Sequence, residues 1–146
     1  MNEAQTTKPA WTKRKKTFFI IGALIVVAAV PAFTWMFMEM HAANQALTTF
    51  GEALVSRDYE RAYNLTSSEF RAAVTKAAFV DQQEALATHL GALKKVVPGA
   101  SETVGNQNGW SSTISVRLQF ERAERRFAFV MKKEGDLWLV YSYTEQ

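Results

Sequence analysis

A chain of 146 residues with 17 Lys or Arg, 14 Asp or Glu and no cysteine has the length of one ordinary domain. It can form no disulfide and no cysteine-based zinc or redox site. The net charge of +3 is unevenly placed: Lys8, Lys13, Arg14, Lys15 and Lys16 face only Glu3 at the N-terminal end, whereas Met40 to Gln146 carries twelve basic and twelve acidic residues. A nucleic-acid binder concentrates its basic excess on the folded domain, so this balance argues against nucleic acid as a partner.

Thr17 to Met38 form an uncharged run, TFFIIGALIVVAAVPAFTWMFM. As a helix it is roughly 33 Å long, against a hydrocarbon core of about 30 Å. Trp11 and Trp35 lie near its ends, where aromatic residues favour the interface. A core helix of so small a domain would not be apolar on every face. Residues 1–16 are therefore read as a basic cytoplasmic tail, 17–38 as a transmembrane helix and 39–146 as an extracytoplasmic α+β domain. The orientation follows from five basic residues before the run and none after it until Arg57. This places the chain in the cell inner membrane as a single-pass protein, its C-terminal domain periplasmic or extracellular, with the lipid bilayer as its partner through residues 17–38. The competing reading is a cleaved signal peptide, with poor cleavage sites at Val30-Pro31-Ala32 or Met40-His41-Ala42. The apolar run continues past Pro31 through Phe33, Trp35 and Phe37, a length that favours an anchor. Gly22-Ala23 and Ala28-Ala29-Ala32 are small residues that permit helix association.

Glu39 to Ala46 contains no Gly and no Pro, so the membrane helix is expected to run without a linker into the first helix of the domain, to about Val55. Leu47, Phe50 and Leu54 recur at helical spacing. Asp58 is a candidate N-cap for a short helix through Tyr59, Ala62 and Tyr63. Thr66 and Glu69 have the spacing of a capping box, introducing a third helix from Phe70. A fourth is expected from about Ala77 to Leu90, with Phe79, Leu86 and Leu90 inward and Gly91 as its C-terminal cap. The period then drops to two. Leu93 to Val97 reads as a first strand, stopped by Pro98-Gly99, and Gly105 to Gly109 as a loop. Ile114, Val116, Leu118 and Phe120 alternate with Thr113, Ser115, Arg117 and Gln119, the pattern of a half-buried antiparallel strand. Arg126 to Lys132 and Leu137 to Tyr143 are the last two strands, with turns at Glu121 to Glu124 and Lys133 to Asp136. Helices followed by a strand meander give an α+β fold: helices packed on a curled antiparallel sheet.

Phe50-Gly51-Glu52-Ala53-Leu54, Asp58 to Leu65, Ser68-Glu69-Phe70, Leu90-Gly91 and Gly135-Asp136-Leu137-Trp138-Leu139-Val140 occur in an order that resembles small bacterial membrane-anchored domains with a cystatin-like, or nuclear-transport-factor-2-like, cone. The resemblance spans about residues 45 to 144. It implies a sheet curled around the longest helix and an envelope setting. It implies no activity, because this fold hosts enzymes, carriers and structural subunits alike.

No catalytic residue, metal ligand or cofactor emerges from the sequence. Tyr59 and Tyr63 share a helix face, and since cone-fold isomerases use a Tyr and an acid, Tyr63 with Asp58 or Asp81 is the pair an enzyme would use. The plainer reading packs both tyrosines in the core with their hydroxyls satisfied at its edge. His89, near a helix C-terminus, is favoured by the helix dipole and needs no ligand role. Asn64-Leu65-Thr66 matches a glycosylation sequon, which would be idle in a bacterial protein. Apolar residues on both faces of the last two strands predict a covered outer face. Ala128, Val130, Trp138 and Val140 are expected to form an apolar patch there or a homodimer contact, with Leu54, Leu86, Ile114 and Phe127 facing inward. The candidate binding residues are thus Tyr59, Tyr63, Val130, Trp138 and Val140. These readings together describe a membrane-anchored extracytoplasmic binding or scaffolding module of the bacterial cell envelope. The alternatives are a small cone-fold enzyme, isomerase- or hydrolase-like, and a structural subunit of a membrane protein complex.

Overall fold

The computed structural model describes the backbone of residues 11–107 and 109–146, and side chains from residue 33 onward apart from Asn106 and Asn108. The chain divides between Phe37 and Met38 into two units, and the folded core belongs to the second. The order of elements is α1 (Trp11–Val55), α2 (Tyr59–Asn64), α3 (Ser68–Ala73), α4 (Lys76–Leu90), β1 (Leu93–Asn106), β2 (Gly109–Phe120), β3 (Glu124–Glu134) and β4 (Leu137–Glu145). The four strands form one curled antiparallel meander in the order β1-β2-β3-β4. The fold is therefore α+β. Among the described residues no helix is long and apolar enough to cross a membrane. Most of the segment expected to do so, residues 17–32, lies outside the residues whose side chains are described, as does the basic tail.

The second unit is built on a stripe of α1. Ala43, Leu47, Phe50 and Leu54 recur every three or four residues and are buried, with Ala53 beside them; residues so spaced share one helix face. As the absence of Gly and Pro predicts, no coil interrupts Glu39 to Asn44: these residues are helical, and Asn44 Nδ2 donates to Met40 O at 3.0 Å rather than capping a new helix. The facing sheet contributes Ile114, Val116 and Leu118 from β2 and Phe127, Phe129 and Met131 from β3. On β1, Gly51 admits Val96 so closely that a Cβ on the glycine would lie 2.8 Å from the valine Cβ.

Capping residues end the helices much as their chemistry predicts. Asp58 accepts from Arg61 N at 3.1 Å and starts α2. Thr75 caps α4 by accepting from Ala78 N, and Gly91 closes it at φ 83. A side chain there would be strained and would collide with Glu121. The capping box is displaced by one residue. Ser67, not Thr66, accepts from Phe70 N at 3.0 Å, because Thr66 forms an isolated parallel bridge with Val140 and its hydroxyl donates to Tyr63 O. Glu69 is thereby released to pair with Lys132. Pro98-Gly99 does not stop β1 but produces a register shift between Pro98 and Ser101. Proline is tolerated there because β1 is an edge strand.

The first half of β4 faces the opposite way from the expectation. Trp138 is 5% exposed and Val140 fully buried, both within the core cluster rather than on the outer face. Leu137 and Tyr141 instead are exposed. The reason is a pair of polar ties and a bulge. Trp138 stands opposite Lys133 in the β3–β4 register. Trp138 Nε1 donates to Glu39 Oε2 at 2.9 Å, and Lys133 Nζ donates to Glu39 Oε1 at 2.5 Å. Burying Glu39 (8% exposed) requires such partners, and they turn Trp138 toward α1. The register then shifts between Val130 and Met131, with Tyr141 as the extra residue of β4. Beyond the bulge, Tyr143 takes the core face and stacks on Phe129 at 5.3 Å. Of the expected sheet-face patch, Ala128 and Val130 remain outward, half-buried between polar neighbours such as Thr113 and Ser115. Leu54, Ile114 and Phe127 are buried as expected, while Leu86 is only half-buried.

Replacing Glu39 by Ala strands the Lys133 ammonium and the Trp138 indole N–H. The expected loss is about 3 kcal/mol of stability, read as a lower denaturation midpoint of the full chain in detergent. An unchanged midpoint would mean that the three groups are not coupled.

Candidate functional site

The segment between α2 and α3 is tied to the edge of β4. Val140 N donates to Leu65 O at 3.0 Å and Ser67 N donates to Val140 O at 2.8 Å. Arg71 Nη1 donates to Thr66 O and to Asn64 O, fastening the same turn. Glu134 accepts from both the backbone N and the hydroxyl of Ser68, each at 2.9 Å. These bonds set α3 beside β4, with Phe70 against Phe79 at 6.1 Å and Tyr143 at 6.0 Å.

Between α3, the middle of α4 and the second half of β4 lies an open cleft of about 370 Å³, walled by Phe70, Val74, Tyr141 and Tyr143 with Glu69, Gln82 and Ser142 as polar groups. Tyr143 is central to it. Its hydroxyl donates to Gln82 Oε1 at 2.9 Å and accepts from Gln83 Nε2 at 3.2 Å. Burial pushes its pKa from 10.0 up to about 12, against the opposing hydrogen bond from Gln83. A phenol so held is a hydrogen-bond donor at neutral pH and not a base. At the rim Lys132 Nζ lies 2.6 and 2.7 Å from the two Glu69 oxygens and 5.3 Å from the centre of the Tyr141 ring. The hydrogen bond to Glu69 holds the Lys132 ammonium above the usual lysine range. The cleft can therefore bind by ring contact and neutral hydrogen bonds, with its carboxylate already neutralised.

The residues singled out in the sequence do not converge here. The Tyr63 hydroxyl donates to Val74 O at 2.7 Å, and its ring packs on Phe79 at 5.8 Å. Tyr59 is half-buried against the core. Asp58 is occupied as a cap and Asp81 is exposed, so neither forms a pair with Tyr63. Trp138 and Val140 are core residues, and Val130 lies on the opposite sheet face. His89 and His41 are exposed. Among the described residues no group of three His, Cys, Asp or Glu could hold a metal ion. Tyr143, Phe70 and Gln82 carried little sequence signal: the tyrosine faces the cleft only because the β4 bulge reverses the strand's alternation.

The raised pKa of Tyr143 makes the fold lose stability at strongly alkaline pH. The folded chain holds this proton more tightly than the unfolded chain, so the stabilisation is complete below about pH 10 and is lost as pH rises to about 12. Tyrosine absorbance should show a late-ionising phenol that is lost in Tyr143→Phe. Equal titration of the variant and the parent would refute the assignment. Compared with protein-family models and with curated proteins, the chain matches none.

Proposed function

We propose that this chain is a membrane-anchored binding module of the bacterial cell envelope, with residues 17–38 in the bilayer and the domain of residues 39–146 outside the cytoplasm. The observation that carries the reading is the exposure of residues 33–38 in α1. Phe33 is 61% exposed, Trp35 61%, Phe37 52% and Met38 68%, with Met36 exposed between them. Consecutive positions on a helix point to all sides, so these large apolar side chains ring the helix rather than line one face. Water disfavours such a surface and hydrocarbon accepts it. It continues the uncharged sequence from Thr17 and stops at Glu39, where a carboxylate is satisfied within the domain. The orientation rests on the basic residues from Lys8 to Lys16.

The curled sheet against a long helix supports the cystatin-like cone. Binding is favoured over turnover because Tyr143 and Glu69 are already engaged, the first with Gln82 and Gln83 and the second with Lys132. The partner is proposed to dock in this cleft. Val130 lies instead on the opposite sheet face, which the sequence singled out for a partner.

A reporter enzyme active only in the periplasm, fused after Gln146, is expected to work, and the fusion should resist alkaline extraction from membranes. Activity only of a cytoplasmic reporter, or release of the chain at alkaline pH, would overturn the reading.

A further inference from the structure

Arg117 and Arg126 are directly opposite each other in the β2–β3 register. Both lie on the sheet face away from α1, since the neighbouring positions Val116 and Phe127 are buried. Like charges directly opposite across two strands are destabilising, and among the described residues one loose ion pair relieves them only in part. Arg117 has one loose, exposed partner, Glu124 at 3.8 Å. Among the described residues Arg126 has no carboxylate partner, the Arg125 side chain having taken Glu145 at 3.4 Å.

Arg117 and Arg126 line a cleft of about 250 Å³ together with Gly99, Ser115 and Gln146. The bulge in β1 shapes one wall. The register shift between Pro98 and Ser101 brings Gly99 against Ser115, where an added Cβ would lie 3.0 Å from the Ser115 carbonyl oxygen. Gln146 closes the other side, its backbone N donating to Arg126 O at 2.9 Å. Bulges next to sites re-aim side chains, and paired guanidinium forks match the oxygens of a phosphate group.

We propose that Arg117 and Arg126, with the Ser115 hydroxyl, form a site for a phosphate-type anion on the outer sheet face. The site is separate from the Tyr143 cleft and does not depend on the binding role assigned to it. The anion relieves the repulsion between the arginines, so it stabilises the folded chain on binding. Two sources share this chemistry: a soluble phosphate compound and an anionic lipid headgroup.

The test uses the full chain at low ionic strength, because exposed charges are screened by salt. In neutral detergent, inorganic phosphate should raise the melting temperature saturably beyond chloride of equal ionic strength and shift the arginine side-chain NMR signals. In Arg126→Gln the phosphate-free melting temperature should hold or rise, while phosphate affinity falls about tenfold or more. That combination excludes a folding defect as the cause. A second arm compares nanodiscs of phosphatidylcholine with nanodiscs containing phosphatidylglycerol. A response to inorganic phosphate alone assigns a soluble ligand, and one to phosphatidylglycerol alone assigns a headgroup. Either supports the site provided that Arg126→Gln removes it. No response in either arm, or an equal response in the variant, overturns the proposal.

Discussion

The domain is organised around Phe50. Its ring is almost wholly buried and lies 6.5 Å from Phe79 of α4 and 6.0 Å from Phe129 of β3. Three elements far apart in the chain thus meet on one side chain of α1. The contacts continue outward through Phe70, Tyr63 and Tyr143, so the aromatic chain that closes the core also forms the wall of the cleft. Such ring pairs prefer tilted or edge-on arrangements, and most of the pairs here are tilted or edge-on. The cleft's geometry is therefore set by core packing.

Much of this could be read from the chain because local chemistry and tertiary packing agreed. The α1 stripe, the Asp58 cap, the Gly91 stop and the clean alternation of β2 each rest on one period or one conformational preference. The α2–α3 boundary was harder, since Thr66, Ser67 and Ser68 are all competent caps. The choice among them depends on pairing with Val140, over seventy positions away in the chain, which no local pattern contains. Likewise Pro98-Gly99 has the look of a terminator, yet an edge strand absorbs it as a bulge.

The β4 strand shows most clearly where periodicity loses its power. From Leu137 to Tyr141 every residue is apolar or aromatic, so hydropathy cannot select a face. The choice is made by hydrogen bonding: the indole N–H of Trp138 and the Lys133 ammonium share the carboxylate of Glu39. One signal for this was present. Glu39, Ala43, Leu47, Phe50 and Leu54 lie on a single helical stripe, and an acid on a buried stripe demands partners. The Tyr143 cleft lacked even that clue, because its tyrosine lies beyond an irregularity that sequence alternation does not register.

The Tyr141 bulge gives β4 two frames, one before it and one after. Strand pairing would be more regular if that residue were deleted. The deletion would restore an unbroken ladder with Tyr143 still opposite Phe129; regular pairing with the residue kept would instead turn Tyr143 off the Phe129 ring and away from Gln82 and Gln83, leaving Trp138 and Val140 in place. The strand therefore joins two frames: an upstream half that holds α1 through Trp138, and a downstream half that walls the cleft through Tyr143. Substitutions in the second frame leave the first undisturbed, whereas a further residue paired into the ladder at the junction would carry Tyr143 to the other face.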